Sequence, residues 1–203
     1  METSKIHFSP DELLLVNNKD WILTKNRVME KMLVALGVLG SKMQLEIEEK
    51  QEKIIEELVR SGPKISRGEK YLGLPYIILD YPRIFEKENI LAIRTLFWWG
   101  NFCSVTLHVN GKYLPYTAKH LTRRFKEFQQ YDFYISTSGN EWNHDLRTMD
   151  YHLLSAATCE QTNEALQTNQ FLKLAAKVEL TQWNNMENRL YSVFLNLIKL
   201  VEI

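Results

Sequence analysis

Two histidines and three carboxylates lie close together in the segment GNEWNHDLRTMDYH, residues 139–152. They are Glu141, His144, Asp145, Asp150 and His152. Imidazole and carboxylate groups are ligands of Zn²⁺ and Mn²⁺ and also serve as general acids and bases. The spacing matches no helical metal motif such as HExxH. We therefore favour a polar surface loop and keep Glu141, His144, Asp145 and His152 as candidate catalytic residues.

The stretch Ile90–Val109, ILAIRTLFWWGNFCSVTLHV, predicts a β-hairpin. Two runs rich in β-branched and aromatic residues flank Gly100-Asn101, and a two-residue loop that begins with Gly favours a type II′ turn. This turn pairs Trp99 with Phe102 and continues back to Ala92 with Val109. It thereby assigns each side chain of the hairpin to one of two faces.

On the first face, Arg94 lies among apolar side chains that we expect to form the main core. These are Ala92, Leu96, Trp98, Cys103, Val105, Leu107 and Val109. A guanidinium group is rarely buried without a partner. We therefore expect a carboxylate or a bound anion near Arg94, with Asp80 as the first candidate and Glu141 as the second. An ordinary ion pair is favoured over an anion-binding pocket.

The second face combines aromatic rings at one end with hydroxyl groups and an imidazole at the other. Its members are Ile93, Thr95, Phe97, Trp99, Phe102, Ser104, Thr106 and His108. Ligand sites are mostly apolar with a few well-placed polar groups. The candidate ligand-binding residues are Arg94, Thr95, Phe97, Trp99, Thr106 and His108. The favoured alternative is that helices cover the aromatic end and the hydroxyls lie on an exposed sheet surface.

A basic cluster follows the hairpin, with Glu127 as its only acidic neighbour. It comprises Lys112, Lys119, His120, Arg123, Arg124 and Lys126. Such a cluster can bind a phosphate or an acidic partner, although a solvated helix surface is the commoner origin. The chain has no glycine-rich phosphate loop, since Gly62, Gly68 and Gly73 have the wrong spacing. The sequence contains no cofactor motif, so the cofactor is unknown.

The overall composition narrows the class of protein. The 203 residues carry 25 basic and 25 acidic side chains, and this neutral balance argues against nucleic acid as the main partner. Two cysteines without CxxC spacing argue against a disulfide framework or a thiolate zinc site. The segment METSKIHFSPDELLL lacks the features of a signal peptide, and no apolar run reaches the roughly 18 residues of a membrane span. We therefore expect a soluble cytoplasmic protein with no membrane partner.

Helices are predicted before the hairpin. Ser9-Pro10-Asp11-Glu12 forms a capping box that starts a short helix, and Asp20 is the expected cap of a helical region that runs to about Arg60. Its apolar positions recur at helical spacing, namely Met29, Leu33, Leu36, Met43, Ile47, Ile54 and Leu58. Ser41–Gln44 has the form of a second capping box, so a kink near Gly40 and one continuous helix are equally supported.

The remaining segments alternate between strand and helix patterns. Strands are predicted at residues 74–81, where Pro82 ends the strand, and at 132–136 and 171–180. For residues 171–180 helix is the close competitor, because Ala, Leu, Lys and Glu favour it. Helices are predicted near 118–128, 151–157 and 181–201. Residues 64–73 are expected to be a polar connector, and residues 160–169 have no assignment. The fold class is α+β: an antiparallel sheet of about four to five strands, with the hairpin 90–109 at its centre, packed with helices. A long N-terminal helical arm precedes it.

The predicted organisation is a helical arm or α-hairpin over residues 1–61 and an α+β core over residues 62–203, together one compact domain. The Met and Leu stripe of the arm can pack on the sheet or on a second copy, so a homodimer is predicted. The first functional hypothesis is a non-enzymatic ligand-binding or protein-interaction module.

The alternative hypothesis is a metal-dependent hydrolase acting on a phosphate-bearing substrate. It uses Glu141, His144, Asp145 and His152, with Arg94 or Arg123 holding the anion. A third and weaker hypothesis, suggested only by size and neutral charge, is an immunity- or antitoxin-like partner protein.

Overall fold

The computed structural model describes residues 6–137 and 139–202. The first five residues of the predicted arm therefore lie outside the described residues, as do residues 138 and 203. The predicted α+β class is confirmed, but the described residues form an antiparallel sheet of seven strands, not four to five, in the order β1-β2-β3-β4-β7-β5-β6. The strands are β1 (Lys64–Tyr71), β2 (Leu74–Phe85), β3 (Ile90–Trp98), β4 (Phe102–Asn110), β5 (Tyr134–Ser136), β6 (His152–Leu153) and β7 (Phe171–Glu179).

The helices are α1 (Pro10–Asn17), α2 (Lys19–Glu49), α3 (Glu56–Val59), α4 (Leu114–Arg123), α5 (Phe125–Phe128), α6 (Cys159–Thr168) and α7 (Met186–Ile198). The capping box at Ser9 is confirmed, since its Oγ accepts from the Glu12 amide at 3.2 Å. The cap of α2 is Asn18 rather than Asp20. This helix runs through Gly40 without a break, so Ser41 caps nothing and its Oγ donates to the Gly37 carbonyl.

One face of the sheet is covered by helices, and it forms the larger hydrophobic core. Side chains of α2 such as Leu36 and Met43 pack in the same buried cluster as Leu79 of β2 and Val105 of β4. The last helix adds Phe194 to this cluster. The long helix and the sheet therefore share one core. The division at residue 61 itself stays a prediction.

The hairpin has a different register from the predicted one. Phe97 pairs with Cys103 and Arg94 pairs with Thr106, so the loop holds three residues and the pairing is displaced by one position. Gly100 has a φ of +71°, which a three-residue loop with a left-handed position requires. Because side chains alternate between faces, this shift gives every residue of β3 a new partner. It also exchanges the two faces of β4 relative to those of β3.

The new register changes the two faces. Arg94 does not lie in the main core; it shares a face with Ser104, Thr106 and His108. The helix-covered face instead carries Ile93, Thr95 and Phe97 together with the odd-numbered residues of β4. The other face of the sheet is covered by the segment that follows β5, which adds Leu146 and Tyr151 to a smaller apolar cluster around Trp98.

Three local predictions are wrong. Residues 64–71 form an edge strand rather than a connector, because an edge exposed on both faces shows no apolar alternation. Pro82 does not end β2, since a register irregularity between Asp80 and Arg83 accommodates it. The final helix begins at Met186 instead of Thr181, after a 3₁₀ segment.

The unassigned residues 160–169 belong to α6, and residues 151–157 hold β6 and a short 3₁₀ turn in place of the predicted helix. The strand at residues 171–179 is confirmed. Within residues 6–137 and 139–202, no helix combines the length and the apolar character that crossing a bilayer requires.

Candidate functional site

The register brings polar side chains of four strands together on the loop-covered face. Asp80, Arg94 and Thr106 occupy one row across β2, β3 and β4. His108 and Lys173 are paired in the next row, across β4 and β7. Neighbouring rows on one face lie within reach of long side chains. The result is a cluster of charged and titratable groups buried under residues 139–151.

Arg94 forms the ion pair that its burial requires. Its Nε and Nη2 donate to the two carboxylate oxygens of Asp80 at 2.7 and 3.0 Å. This two-point geometry suits a planar guanidinium and stabilises the pair in a largely buried position. The first predicted partner, Asp80, is therefore confirmed, while Glu141 binds elsewhere.

His144 lies between two basic side chains. Its Nε2 is 3.0 Å from Nη1 of Arg94, and its Nδ1 is 3.5 Å from Nζ of Lys173. Arginine can only donate, so Nε2 accepts, and the proton of the neutral ring lies on Nδ1. Burial and the neighbouring Lys173 and Arg94 hold the pKa of His144 well below its ordinary value. The ring is therefore neutral and directs an N–H toward Lys173.

Lys173 is the most fully buried charged residue of the cluster. Its Nζ donates to the backbone carbonyl of Asn143. Burial, with a smaller contribution from Arg94, lowers the pKa of this amine to about 7. A neutral amine has a lone pair for the Nδ1–H of His144, which an ammonium lacks. The proton on Nδ1 of His144 and the lowered pKa of Lys173 thus both indicate that Lys173 loses its charge readily.

His108 and Glu141 form the other end of the cluster. Burial, with smaller contributions from Lys173 and Arg94, lowers the pKa of His108 to about 3. Its 3.1 Å contact with Glu141 is therefore a hydrogen bond from a neutral Nε2–H to the carboxylate. Asn110 donates to the same oxygen at 3.3 Å. Two groups of β4 thus fix the carboxylate of Glu141.

The covering loop is held by its own central residue, Asn143. The side-chain amide of Asn143 donates to Thr148 and to Asp150, and its backbone carbonyl accepts from Tyr151 as well as from Lys173. Next to it, the backbone N–H of His144 donates to the hydroxyl of Tyr71 at 2.7 Å. These contacts join the loop to β1 and β7.

A groove of about 750 Å³ lies beside this cluster, at the end of the sheet where several connections meet. Glu141 is the member of the ionic cluster that lines it, with Asn110, Thr137, Asn169, Gln170 and Phe171 among the other lining residues. The side chain of Glu141 is 30% exposed. Trp142 lies next to it, with its ring 5.3 Å from that of His108. The groove therefore offers a fixed carboxylate, amide groups and the aromatic ring of Phe171.

Two glycines shape this end of the sheet. Gly139 has a φ of +81°, and a Cβ there would lie 2.4 Å from Oδ1 of Asp150. Gly111 has a φ of +59°, and a Cβ there would lie 2.1 Å from the Glu88 carbonyl oxygen. Neither position accommodates a side chain without movement of its neighbours.

The predicted site residues separate into two groups. Arg94, Thr106 and His108 share the loop-covered face, and Glu141 and His144 join them there. Thr95 and Phe97 are buried on the helix-covered face, and Trp99 lies in the hairpin loop against the larger core.

Two candidates of the loop point elsewhere. Asp145 is paired with Arg147, whose Nε and Nη2 donate to it at 2.7 and 2.9 Å. His152 is exposed in β6. Within the described part of the chain, no group of three or more His, Cys, Asp or Glu side chains is arranged to hold a metal ion. Glu141, His144, Asp145 and His152 therefore do not form one site.

Sequence reasoning missed Lys173, Asn143 and Asn110. Side chains of β7 alternate between the two faces of the sheet. Only the pairing of Lys173 with His108 shows on which face Lys173 lies. Asn143 and Asn110 carry no motif. The one available signal was a lysine between Leu172 and Leu174 in a predicted strand.

The basic cluster extends from Lys112, just before α4, along α4 to Lys126 of α5. Arg123 and Arg124 line a separate groove of about 720 Å³, and Arg124 pairs with Glu127 at 3.1 Å. Lys199 contacts the same carboxylate at 3.0 Å. Glu127 thus neutralises part of the predicted phosphate site.

Comparison with family models, curated proteins and solved structures finds no match for this chain. The geometry of the site is therefore the basis for a functional conclusion.

Proposed function

We propose that this protein is a binding module for a small polar molecule, which occupies the groove beside Glu141. The observation that carries the proposal is that this carboxylate is held in place and yet partly exposed. His108 and Asn110 fix it from the side of the sheet, while part of the side chain stays open to the groove. A polar group that is already held in place binds a ligand without the entropic cost of ordering it.

The groove favours a ligand that donates hydrogen bonds. Glu88 and Glu141 supply carboxylates, and Lys87 is the one lysine or arginine among the described lining residues. Asn169 and Gln170 also line the groove, and their side-chain amide oxygens are further acceptors. Phe171 adds an aromatic ring. Ammonium or hydroxyl groups match this set of acceptors, and ammonium groups also interact with aromatic faces.

Calorimetric titration with spermidine, ethanolamine and glucose tests this proposal. We expect saturable binding of at least one of these probes to the intact protein. The Glu141→Gln variant keeps an oxygen that accepts from His108 and Asn110 but removes the charge. A charge-assisted hydrogen bond contributes about 1.5–3 kcal/mol, so the affinity for an amine is expected to fall at least about tenfold.

A matched control is Glu160→Gln, which changes an exposed glutamate at the other end of α6 from the groove. This variant is expected to bind the probes with unchanged affinity. The proposal is wrong if no probe binds, or if Glu141→Gln and Glu160→Gln have equal effects. Circular dichroism of both variants checks that the fold is retained.

The other functional predictions stay predictions. The metal-dependent hydrolase gains no support from the arrangement of Glu141, His144, Asp145 and His152, since these four residues do not meet. We retain the cytoplasmic location, protein partners and the homodimer as proposals. Exposed apolar side chains on the N-terminal arm support the homodimer.

A further inference from the structure

The outward side of α2 carries an apolar stripe. Val34, Val38 and Leu45 are 69%, 53% and 61% exposed, although the opposite side of the helix is buried in the core. Ser41 lies within the stripe and Gly37 beside it. No described atom lies within 4 Å of the position that a Cβ would take at Gly37. Small residues at these places allow another helix to approach closely.

The stripe follows a heptad spacing. Residues 27, 31, 34, 38, 41, 45 and 48 are separated alternately by four and three positions. This spacing places them along one seam of a helix, as in a two-helix coiled coil. Arg27 and Lys31 occupy the N-terminal end of the seam, Glu48 occupies the C-terminal end, and the apolar and small residues lie between them.

We propose that this seam binds the same seam of a second copy of the chain, with the two α2 helices antiparallel. In such a pair, Val38 lies opposite Ser41, Val34 opposite Leu45, and Lys31 opposite Glu48, each layer occurring twice. The charge pattern selects this orientation. A parallel pair would bring Lys31 against Lys31 and Glu48 against Glu48, and like charges oppose association.

Helix α1 and the residues beside it extend the same surface. Helix α1 has no buried residue, and the exposed apolar side chains around it include Phe8, Leu14 and Trp21. Stable dimers bury on the order of 1,200–2,000 Å² in total. The seam alone is too narrow for this area. In the antiparallel register each arm passes beyond the end of the other α2 helix, where its apolar side chains can contact the second copy.

Sedimentation equilibrium of the intact protein is the first test, over a wide concentration range. We expect a dimer, and we expect Val38→Glu to weaken association at least tenfold because it places a charge in each central layer. Met149→Glu is the matched control, since Met149 is fully exposed outside the seam. A monomer at all concentrations overturns the proposal, as does a dimer that Val38→Glu leaves intact.

Cysteine cross-linking tests the orientation. In a Cys159→Ser background, where Cys103 is buried, mixing the Val34→Cys and Leu45→Cys variants is expected to give a disulfide-linked dimer. Each variant alone is expected to give none. Positions 34 and 45 are about 16 Å apart along one helix. In an antiparallel pair of identical variants the two new cysteines are separated by about this distance, which is too far for a disulfide. Cross-linking of Val34→Cys with itself would show a parallel pair and overturn the proposal.

A charge exchange gives an independent readout. Lys31→Glu and Glu48→Lys are each expected to weaken the dimer, and the double variant is expected to restore it, because opposite charges then meet again. Equal weakening by the double variant contradicts the antiparallel pairing. The seam shares no residue with the groove at Glu141, so loss of the dimer leaves the calorimetric test of ligand binding unaffected, and the two failures are distinguishable.

Discussion

The two faces of the same seven strands are stabilised by different interactions. On the helix-covered face, apolar side chains from α2, α7 and the strands fill one large core, and few polar groups are present. On the loop-covered face, Asp80, Arg94, His144 and Lys173 are buried and bonded to one another or to the loop backbone. Both faces exclude water, but only the second depends on specific partners.

This difference determines how each face responds to change. Apolar burial is non-directional, so its loss follows the volume that is removed. A buried ionic cluster responds to the loss of one partner, because the remaining group stays buried without its counter-charge. On the helix-covered face we therefore expect the loss of stability to follow the volume removed. On the loop-covered face we expect the removal of one ionic partner to cost more stability than the replacement of both.

The largest expected effect belongs to the helix-covered face. Phe194 is completely buried in the larger core. Replacement by alanine is expected to lower the free energy of unfolding by about 3–5 kcal/mol, because a cavity remains. Urea denaturation measures this value. Phe194→Leu fills most of the volume and is expected to lose much less. Equal losses for the two variants would contradict a close-packed core.

The second prediction concerns the ion pair of the loop-covered face. Asp80→Ala leaves Arg94 buried without its carboxylate and is expected to lower the free energy of unfolding by roughly 3 kcal/mol. The double variant Asp80→Leu/Arg94→Met replaces the pair by apolar groups and is expected to recover most of this loss. Urea denaturation of the wild type, Asp80→Leu, Arg94→Met and the double variant gives the coupling energy. Additive losses would show that the pair is not coupled.

The third prediction is a pH dependence of stability. The pKa of Lys173 is about 7 in the folded protein against an ordinary 10.5, so between these values the unfolded chain holds the extra proton. Stability therefore rises with pH across this window, by at most about 1.4 kcal/mol per pH unit. The lowered pKa of His108 also makes stability rise with pH, but at lower pH, between about 3 and its ordinary pKa of 6.5.

Urea denaturation between about pH 7 and pH 9 measures the effect of Lys173 by difference. The free energy of unfolding of the wild type is expected to rise more steeply with pH than that of Lys173→Met, in which this group is absent. Parallel curves for the two proteins would show that Lys173 keeps an ordinary pKa.

The smallest expected effect comes from replacing two glycines that have positive φ values. The comparison separates the cost of backbone strain from the cost of crowding under the loop. Gly139 and Gly73 have φ values of +81° and +82°, but an alanine Cβ meets Asp150 only at position 139. Gly73→Ala is expected to cost about 1 kcal/mol of stability from φ alone, and Gly139→Ala more. Thermal unfolding compares the two. Equal shifts in Tm would mean that the loop moves freely away from Asp150.

The fold class was accessible from the sequence because it depends on local patterns. The capping box at Ser9 and the alternation in residues 171–179 both lead directly to observed elements. The edge strand β1 was not accessible, because an exposed strand has no apolar period. The cap of α2 was misplaced by two residues, since Asn18 and Asp20 are both good cap residues.

The site was only partly accessible, for a different reason. The need of Arg94 for a carboxylate follows from burial alone, and Asp80 was the nearest candidate in the preceding strand. The grouping of Arg94 with Thr106 and His108 depends on the register of one hairpin. The part played by Lys173 depends on which strand lies beside β4, and no local pattern contains that information.

The three-residue loop between Trp98 and Phe102 has a consequence for how this protein can change over evolutionary time. Substitutions within the loop, or the loss of one of its residues, alter one turn and leave Phe97 opposite Cys103. The loss of one residue inside β4, between Phe102 and Thr106, would instead shift every pair beyond it, so that Arg94 meets Leu107 and the side chains of Thr106 and His108 turn toward the helices. Insertions and deletions inside the two strands should therefore be far rarer among descendants of this chain than changes within the loop.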